Sequence, residues 1–437
     1  MLNIAHSRFI HYDPYIFQSA SLMLKAETTS FKKYYIIAWI FGLLFYFLDY
    51  FIRSAPAVMI PELSKLFTVT NVSLVSIVGT YYYTYSTCSL LAGMAFDRFG
   101  AKYSLFTGCV ILGLGCLLFV ISSQFAGNTG RMLQGAGCAF AFPGCVYLAS
   151  KGFSAGSLAT AIGFTQCLGM LGGSAGQFLV GPWMTNGMSL NMFWIATGLV
   201  TILVAFGLLF LTPHNKQEQQ STKQLQGRGL LSPYKIVFSN SQSWLCGIIS
   251  GLLFAPTTIF AMTWGVAFFE NDRSLDFHAA TVACAMVPMG WVFGCPLLGF
   301  LTDKIGRRKP VLIGGAVLMI ISLLQLIYLP DLAPAYVSTF MLGVASGAAM
   351  IPYSIIKESN PDHVKGSATG AINFITFGVT TLVSPVFSRM FGKTLAGATD
   401  KAAHFQSAGL FWIIGISIAI IVSLLLKETG KGKLKNS

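Results

Sequence analysis

Long apolar runs alternate with short polar breaks along almost the whole chain. Tyr34–Ile60 and Tyr103–Ser122 are each long enough to cross roughly 30 Å of hydrocarbon as helix. Leu190–Leu211, Val311–Leu329 and Phe405–Leu426 repeat the pattern. The short alternating segments of a membrane β-barrel do not occur. The pattern therefore predicts an all-α polytopic membrane protein. Its twelve transmembrane helices fall near residues 34–61, 71–96, 103–123, 127–151, 157–182, 190–212, 242–270, 276–302, 310–329, 332–356, 366–391 and 405–427.

Composition agrees. Charged residues make up 10% of the chain, against about 25% in an average soluble domain. A soluble protein of 437 residues needs more polar surface than this to cover its core. The formal charge of +13 raises the question of nucleic acid, but its distribution excludes it. With the N-terminus inside, 21 of the 28 Lys and Arg residues fall in the tails and the connections on the cytoplasmic side. Five fall outside, and Arg53 and Arg131 lie within spans. This is the positive-inside pattern of an inner-membrane protein with both termini in the cytoplasm, and the basic residues gather on no single face. The nine cysteines lie within predicted spans and lack metal-ligand spacing, so packed thiols and no metal or other cofactor are expected. Residues 1–33 lack the apolar stretch of a signal peptide and read as a cytoplasmic tail, with 428–437 as a second. Asn71-Val72-Ser73 matches a glycosylation acceptor by chance.

The largest polar break, 214–243, reads as a cytoplasmic linker between halves at 34–213 and 244–427, with a short helix starting at Pro233-Tyr234-Lys235. The halves carry the same marks. Gly93-x-x-x-Asp97-Arg98-x-Gly100-x-Lys102 recurs 206 residues later as Gly299-x-x-x-Asp303-Lys304-x-Gly306-x-Arg308. Pro143 and Lys151 answer Pro352 and Lys357, and Gly156-Ser157…Phe164 parallels Gly366-Ser367…Phe374. A repeat of this kind suits alternating access, in which two pseudo-symmetric bundles rock around a central site.

These two loop segments resemble the signature of the major facilitator superfamily between spans 2 and 3 and between spans 8 and 9. Arg131-Met132-Leu133-Gln134-Gly135-Ala136-Gly137 resembles its fourth-span signature, and Gly169–Gly176 with Gly181-Pro182 partly resembles its antiporter motif. Tyr81-Tyr82-Tyr83-Thr84-Tyr85, Arg53-Ser54-Ala55-Pro56 and Asn360-Pro361…Gly366…Gly370…Asn373 resemble the phagosomal-transporter permeases of intracellular bacteria, many of which take up amino acids. Related importers carry carboxylate siderophores. The resemblance implies that the duplicated loops act as a latch on one conformer. Gly93 and Gly299 would permit close approach, Asp97 and Asp303 would cap a helix or pair with a base, and Gly100 and Gly306 would make the turns. Arg98, Lys102, Lys304 and Arg308 complete the latch, the alternative being a solvated basic turn.

A charge inside a span usually faces a polar cavity or a partner. Asp49 and Arg53 are four apart with the acid first, the favoured order for pairing on one helical face. The planar fork of Arg53 suits a solute carboxylate, with Asp49 as proton carrier; a structural pair is the bland alternative. Arg131 is expected in coupling or in holding helices together. Of the tyrosines, Tyr82 and Tyr85 share a face and are expected to line the cavity. Gln166, Gln177, Asn373 and Thr376 offer neutral polar groups for cavity lining or interhelical bonding, with Asn373 the expected solute contact. Packing is expected for Trp264 and Trp291, and helix contact for Gly247, Gly251, Gly343 and Gly347.

The expected function is secondary transport of a small carboxylate-bearing solute, an amino acid or peptide first and a carboxylate siderophore next. The expected partners are that solute, the lipid bilayer and a coupling proton, for a chain working as a monomer. Phosphate-cradling loops and the H-E-x-x-H motif are absent, which disfavours an ATP-driven pump and an intramembrane metalloenzyme. A membrane receptor on a transporter fold is the remaining rival.

Overall fold

The computed structural model describes residues 14–153, 155–213, 232–361, 364–392 and 394–430. Side chains are described for these, apart from residues 14–31, 72, 97–98, 155–160, 365 and 396. Helices carry nearly all of the described chain, because in hydrocarbon each backbone N–H and C=O must find its partner within its own segment.

Twelve spans run alternately up and down. Ten meet the length and hydropathy of a crossing helix: Lys32–Val58, Phe99–Leu118, Gln124–Gly152, Leu190–Leu211, Ser241–Asn271, Phe277–Ile305, Lys309–Tyr328, Ala335–Glu358, Gly366–Gly392 and Lys401–Leu424. The other two are the second span, residues 71–99, rich in tyrosine, and the fifth, Ala155–Phe178, rich in glycine. Both are too polar or too small-featured to stand out by hydropathy, and both pack at the seam between the halves. The second lies on the eleventh and the fifth on the eighth. Leu203, Phe210, Leu382 and Ile414 point outward as an apolar coat for lipid.

The first span's helix extends back to Pro14, so part of the expected tail is helical and continuous with it. At its other end the helix stops at Ser54, and a 3-10 turn, Ala55–Val58, carries Pro56. The fourth and tenth spans are interrupted at matching points, near Ala139 and at Gly347–Met350, as expected of repeats. The seventh contains a π-helical stretch, Pro256–Trp264. The expected short helix before the seventh span is present as Ser232–Ser239. It marks one end of the bundle, here the linker end, which also carries both duplicated loops.

Candidate functional site

Arg53 sits in the first span, shut away from solvent and lipid together with Asp49, one helical turn before it. A buried charge needs a partner, and the i,i+4 spacing supplies one. Arg53 Nη2 donates to Asp49 Oδ1 at 2.9 Å. Tyr81 of the second span closes a triangle. Its hydroxyl donates to the same Oδ1 at 2.6 Å and accepts from Arg53 Nε at 3.1 Å. Aromatic faces sheathe the guanidinium, whose Cζ lies 4.0 Å from the Tyr50 ring centre, 4.6 Å from Tyr85 and 5.3 Å from Phe377. Stacking on ring quadrupoles offsets part of the lost hydration. Asp49 Oδ2 and Arg53 Nη1 remain without partners.

Arg131 does different work. Pro56 has no N–H to give to the carbonyl of Ile52, and the helix end leaves that of Arg53 free. Arg131 answers both, Nη1 donating to Ile52 O at 3.1 Å and Nη2 to Arg53 O at 2.9 Å. Its Nε donates to Val78 O at 3.0 Å, and Nη1 also bonds Gln134 Oε1 at 2.8 Å. It thus fastens the first, second and fourth spans to one another, at the atoms next to the Asp49–Arg53 pair.

A cavity of about 10 Å³, room for one water-sized centre, lies in the seam between the halves. Tyr46, Tyr50, Tyr85, Phe142 and Gln166 form one wall; Phe254, Met350, Tyr353, Asn373 and Phe377 form the other. Tyr46 donates to Gln166 Oε1 at 3.1 Å, and Tyr353 donates to Asn373 Oδ1 at 2.5 Å. Tyr85 and Asn373 are therefore where the sequence placed them. Arg53 stands one layer back, behind Tyr50, Tyr85 and Phe377. Tyr82 is not on the wall: its hydroxyl donates to Thr258 O across the seam at 3.3 Å. Tyr83 faces outward. The wall members that sequence reasoning missed, Tyr46, Tyr50, Phe142, Phe254, Met350, Tyr353 and Phe377, carry no charge and read as ordinary helix packing. Tyr46 and Tyr50 do share the face of Asp49 and Arg53, the one signal that could have found them.

The seam is closed beyond the cavity on both sides. Towards the far end, Ser174 donates to Ala285 O at 2.9 Å and Gln177 to Ala261 O at 2.8 Å. Towards the linker end, Ser86 donates to Phe374 O at 2.7 Å. Thr376 bonds Gly247 O at 3.4 Å, an interhelical role rather than a cavity one.

The two duplicated loops share their turn glycines but differ in what packs against them. Gly100 has φ 71° and ψ 178°, a region that glycine occupies almost alone, and Gly306 has φ 71° and ψ 13°, the left-handed region that favours glycine. Gly93 is pressed by the Tyr234 hydroxyl, which occupies the space of a Cβ there and donates to Leu90 O at 3.1 Å. Gly370 of the eleventh span faces the same hydroxyl. Gly299, by contrast, faces open space, so the close approach expected there does not occur. Arg308 Nη1 bonds Thr302 Oγ1 at 2.7 Å and Asp303 Oδ1 at 3.0 Å, and Nη2 bonds Glu358 at 2.9 Å. Partial burial disfavours its charge, but Glu358 and Asp303 outweigh that and hold its pKa above the ordinary value. The network ties the eighth span to the tenth within one half. Lys304 is exposed and Lys102 half-buried; the side chains of Asp97 and Arg98 lie outside the described residues. Among the described residues no group of three or more His, Cys, Asp or Glu is placed to hold a metal ion.

The "Probable sulfoacetate transporter SauU" of Cupriavidus necator is 23% identical over 411 residues, covering 88% of this chain and 92% of that protein. The "Membrane sensor protein UhpC" of Escherichia coli K12 is 23% identical over 407 residues, covering 87% and 89%. Among solved structures, a bacterial homologue of the human lysosomal transporter Spinster, inward-facing and unoccupied, superposes with a TM-score of 0.69 at 16% identity. It covers 90% of this chain and 97% of that one, a likeness of fold. The Major Facilitator Superfamily profile matches residues 42–385 and 296–437. With twelve spans in two related bundles closed around a central cavity, the chain belongs to the Major Facilitator Superfamily.

Proposed function

We propose that this protein is a secondary carrier, not an enzyme, that takes up a small organic anion by alternating access, with Asp49 as the proton-responsive group. The observation that carries the reading is the Asp49–Arg53–Tyr81 triangle, buried one ring layer from a closed cavity in the seam. With Asp49 ionised, Arg53 is engaged. A proton on Asp49 weakens that bond and leaves the guanidinium fork to a solute carboxylate entering past Tyr50 and Tyr85. Amino acids, short peptides and other organic acids share that carboxylate. A relative named for sulfoacetate, an organic anion, supports the anionic class. The Lys/Arg bias supports an inner-membrane orientation with the linker end in the cytoplasm.

The test uses purified protein in liposomes, screened against amino acids and organic acids for binding, counterflow and uptake driven by an inward proton gradient. Arg53→Lys keeps the charge and loses the fork, so affinity should fall about tenfold or more. Asp49→Asn should retain counterflow while uptake no longer responds to the gradient. Native affinity in Arg53→Lys removes the anchor role, and gradient-driven accumulation in Asp49→Asn removes the proton role. The relative named as a membrane sensor favours a second reading, a receptor on this fold. Selective binding without flux in the same liposomes would decide for it.

A further inference from the structure

Asp272 follows the last residue of the seventh span at the far end, and its side chain is shut away from solvent. Its Oδ1 has no partner, and its Oδ2 meets His404 Nδ1 of the twelfth span at 2.7 Å. The other ring nitrogen, Nε2, lies 2.9 Å from Thr394 Oγ1 in the connection between the eleventh and twelfth spans. That hydroxyl in turn donates to Phe391 O at 3.1 Å. A hydroxyl has one proton. With it on Phe391 O, Nε2 must donate to Oγ1, and a further proton must lie between Nδ1 and Oδ2. All three bonds hold together only when the pair carries one proton more than an aspartate facing a neutral imidazole. Without it, Thr394 must turn its proton to Nε2 and leave Phe391 O, or Asp272 faces a bare nitrogen. Phe268 stacks on the imidazole, centres 5.5 Å apart and planes at 12°, an arrangement that suits a cation. Burial pushes the Asp272 pKa up, with His404 and Lys401 opposing. Of the other charged groups at this end, Arg273 lies over Phe405, Asp400 caps Ala403 and Asp276 caps Ala279. Glu270 is half-buried and acts on Cys284, Arg389 is exposed, and Lys393 lies outside the described residues.

The geometry points to Asp272 and His404 as a proton-binding pair whose loaded form fastens the outer part of the seventh span to the connection between the eleventh and twelfth. That part of the span meets the other half at the far end. Its Ala261 O accepts from Gln177, and its Thr258 O accepts from Tyr82. Trp264, one turn before Phe268, packs edge-on against that ring and fills the space beside Gly392. Holding Phe268 against His404 therefore holds the stretch that closes the seam. The site stands apart from the Asp49–Arg53 pair. Its fastening is complete while the pair holds its proton and is lost as pH rises. With the linker end in the cytoplasm, as proposed above, the pair samples the outside, and external acid favours a closed far end.

Thr281 of the eighth span reports on that end. It is 3% exposed, faces Gly181 of the other half, and its hydroxyl has no partner to lose. Purified full-length protein carrying Thr281→Cys is treated with a maleimide from about pH 5 to about pH 8, the range in which imidazole titrates. Mass spectrometry of the peptide that spans this position gives the labelling rate. Each rate is divided by that of the unfolded chain at the same pH, which removes the titration of the thiol itself. The quotient should rise about tenfold from the acid end to the alkaline end. In His404→Gln it should stay flat, because glutamine takes up no proton there. A flat native profile, or an equal rise in His404→Gln, overturns the proposal. Should that variant not fold, Thr394, which is exposed, decides alone. Thr394→Val removes the oxygen that accepts from Nε2, so the midpoint should fall by about one pH unit, a tenfold loss of proton affinity. An unmoved midpoint overturns the inference. The rise should persist in Asp49→Asn, whether or not Asp49 carries the transported proton. Its loss there would assign the response to the buried pair and overturn this site.

Discussion

Asp49 holds the buried guanidinium in place, and the guanidinium keeps Asp49 from being an isolated acid in the same apolar surroundings. Removing one partner leaves the other charge buried and unpaired, which costs about 3–5 kcal/mol in comparable pairs, whereas apolar replacement of both is often neutral. Asp49→Leu and Arg53→Met should therefore each lower the melting temperature in detergent. The double variant should melt above either single one yet bind no organic anion. A double variant that melts below both would show that the rings around Arg53 depend on its charge. The pair itself was legible in the sequence, because a four-residue spacing fixes a common face whatever the helix's rotation. The rings were not. Four tyrosines within Tyr81–Tyr85 point in different directions, and only the packed helix shows that Tyr81 meets the charges, Tyr85 the cavity and Tyr82 the opposite half.

At the level of elements, hydropathy marks ten of the spans, because a crossing helix needs a minimum length of apolar sequence. It could not say how each one ends. The break at Pro56 was visible, but Arg131's answer to the freed carbonyls depends on the fourth span reaching the first. The two motif glycines are a second case, alike in sequence and unlike in backbone. Gly306 lies in the left-handed region that Asn tolerates, while Gly100, with ψ 178°, lies where glycine is almost the sole occupant. Gly306→Asn should leave the melting temperature close to native. Gly100→Asn should lose about 1–3 kcal/mol, the range for forcing a side chain into such a region. Thermal unfolding of the two variants side by side checks this, and equal losses would contradict it.

For the whole molecule, the repeat was readable from paired motifs, but the closed state was not, since contacts across the seam join residues far apart in the chain. Tyr234 is the instructive member. It belongs to the helix that precedes the seventh span, and its hydroxyl sits between Gly93 of one half and Gly370 of the other. Gly93→Ala should push that hydroxyl away from Leu90 O and slow uptake about tenfold, in keeping with a loss near 1.4 kcal/mol. Tyr234→Phe in the same chain should restore much of the rate, because it removes the atom the new methyl strikes. Failure of the rescue in initial-rate measurements would place the defect of Gly93→Ala elsewhere.

That tyrosine has a consequence for symmetry. A molecule made of two copies of one motif has, in principle, no preferred half. Here the first glycine of the motif is occupied in one copy and idle in the other, and what occupies it is a residue of the joint between them, the part of the chain that exists once. The duplication supplies two equivalent turns; the single-copy joint packs against one of them alone and so breaks their equivalence.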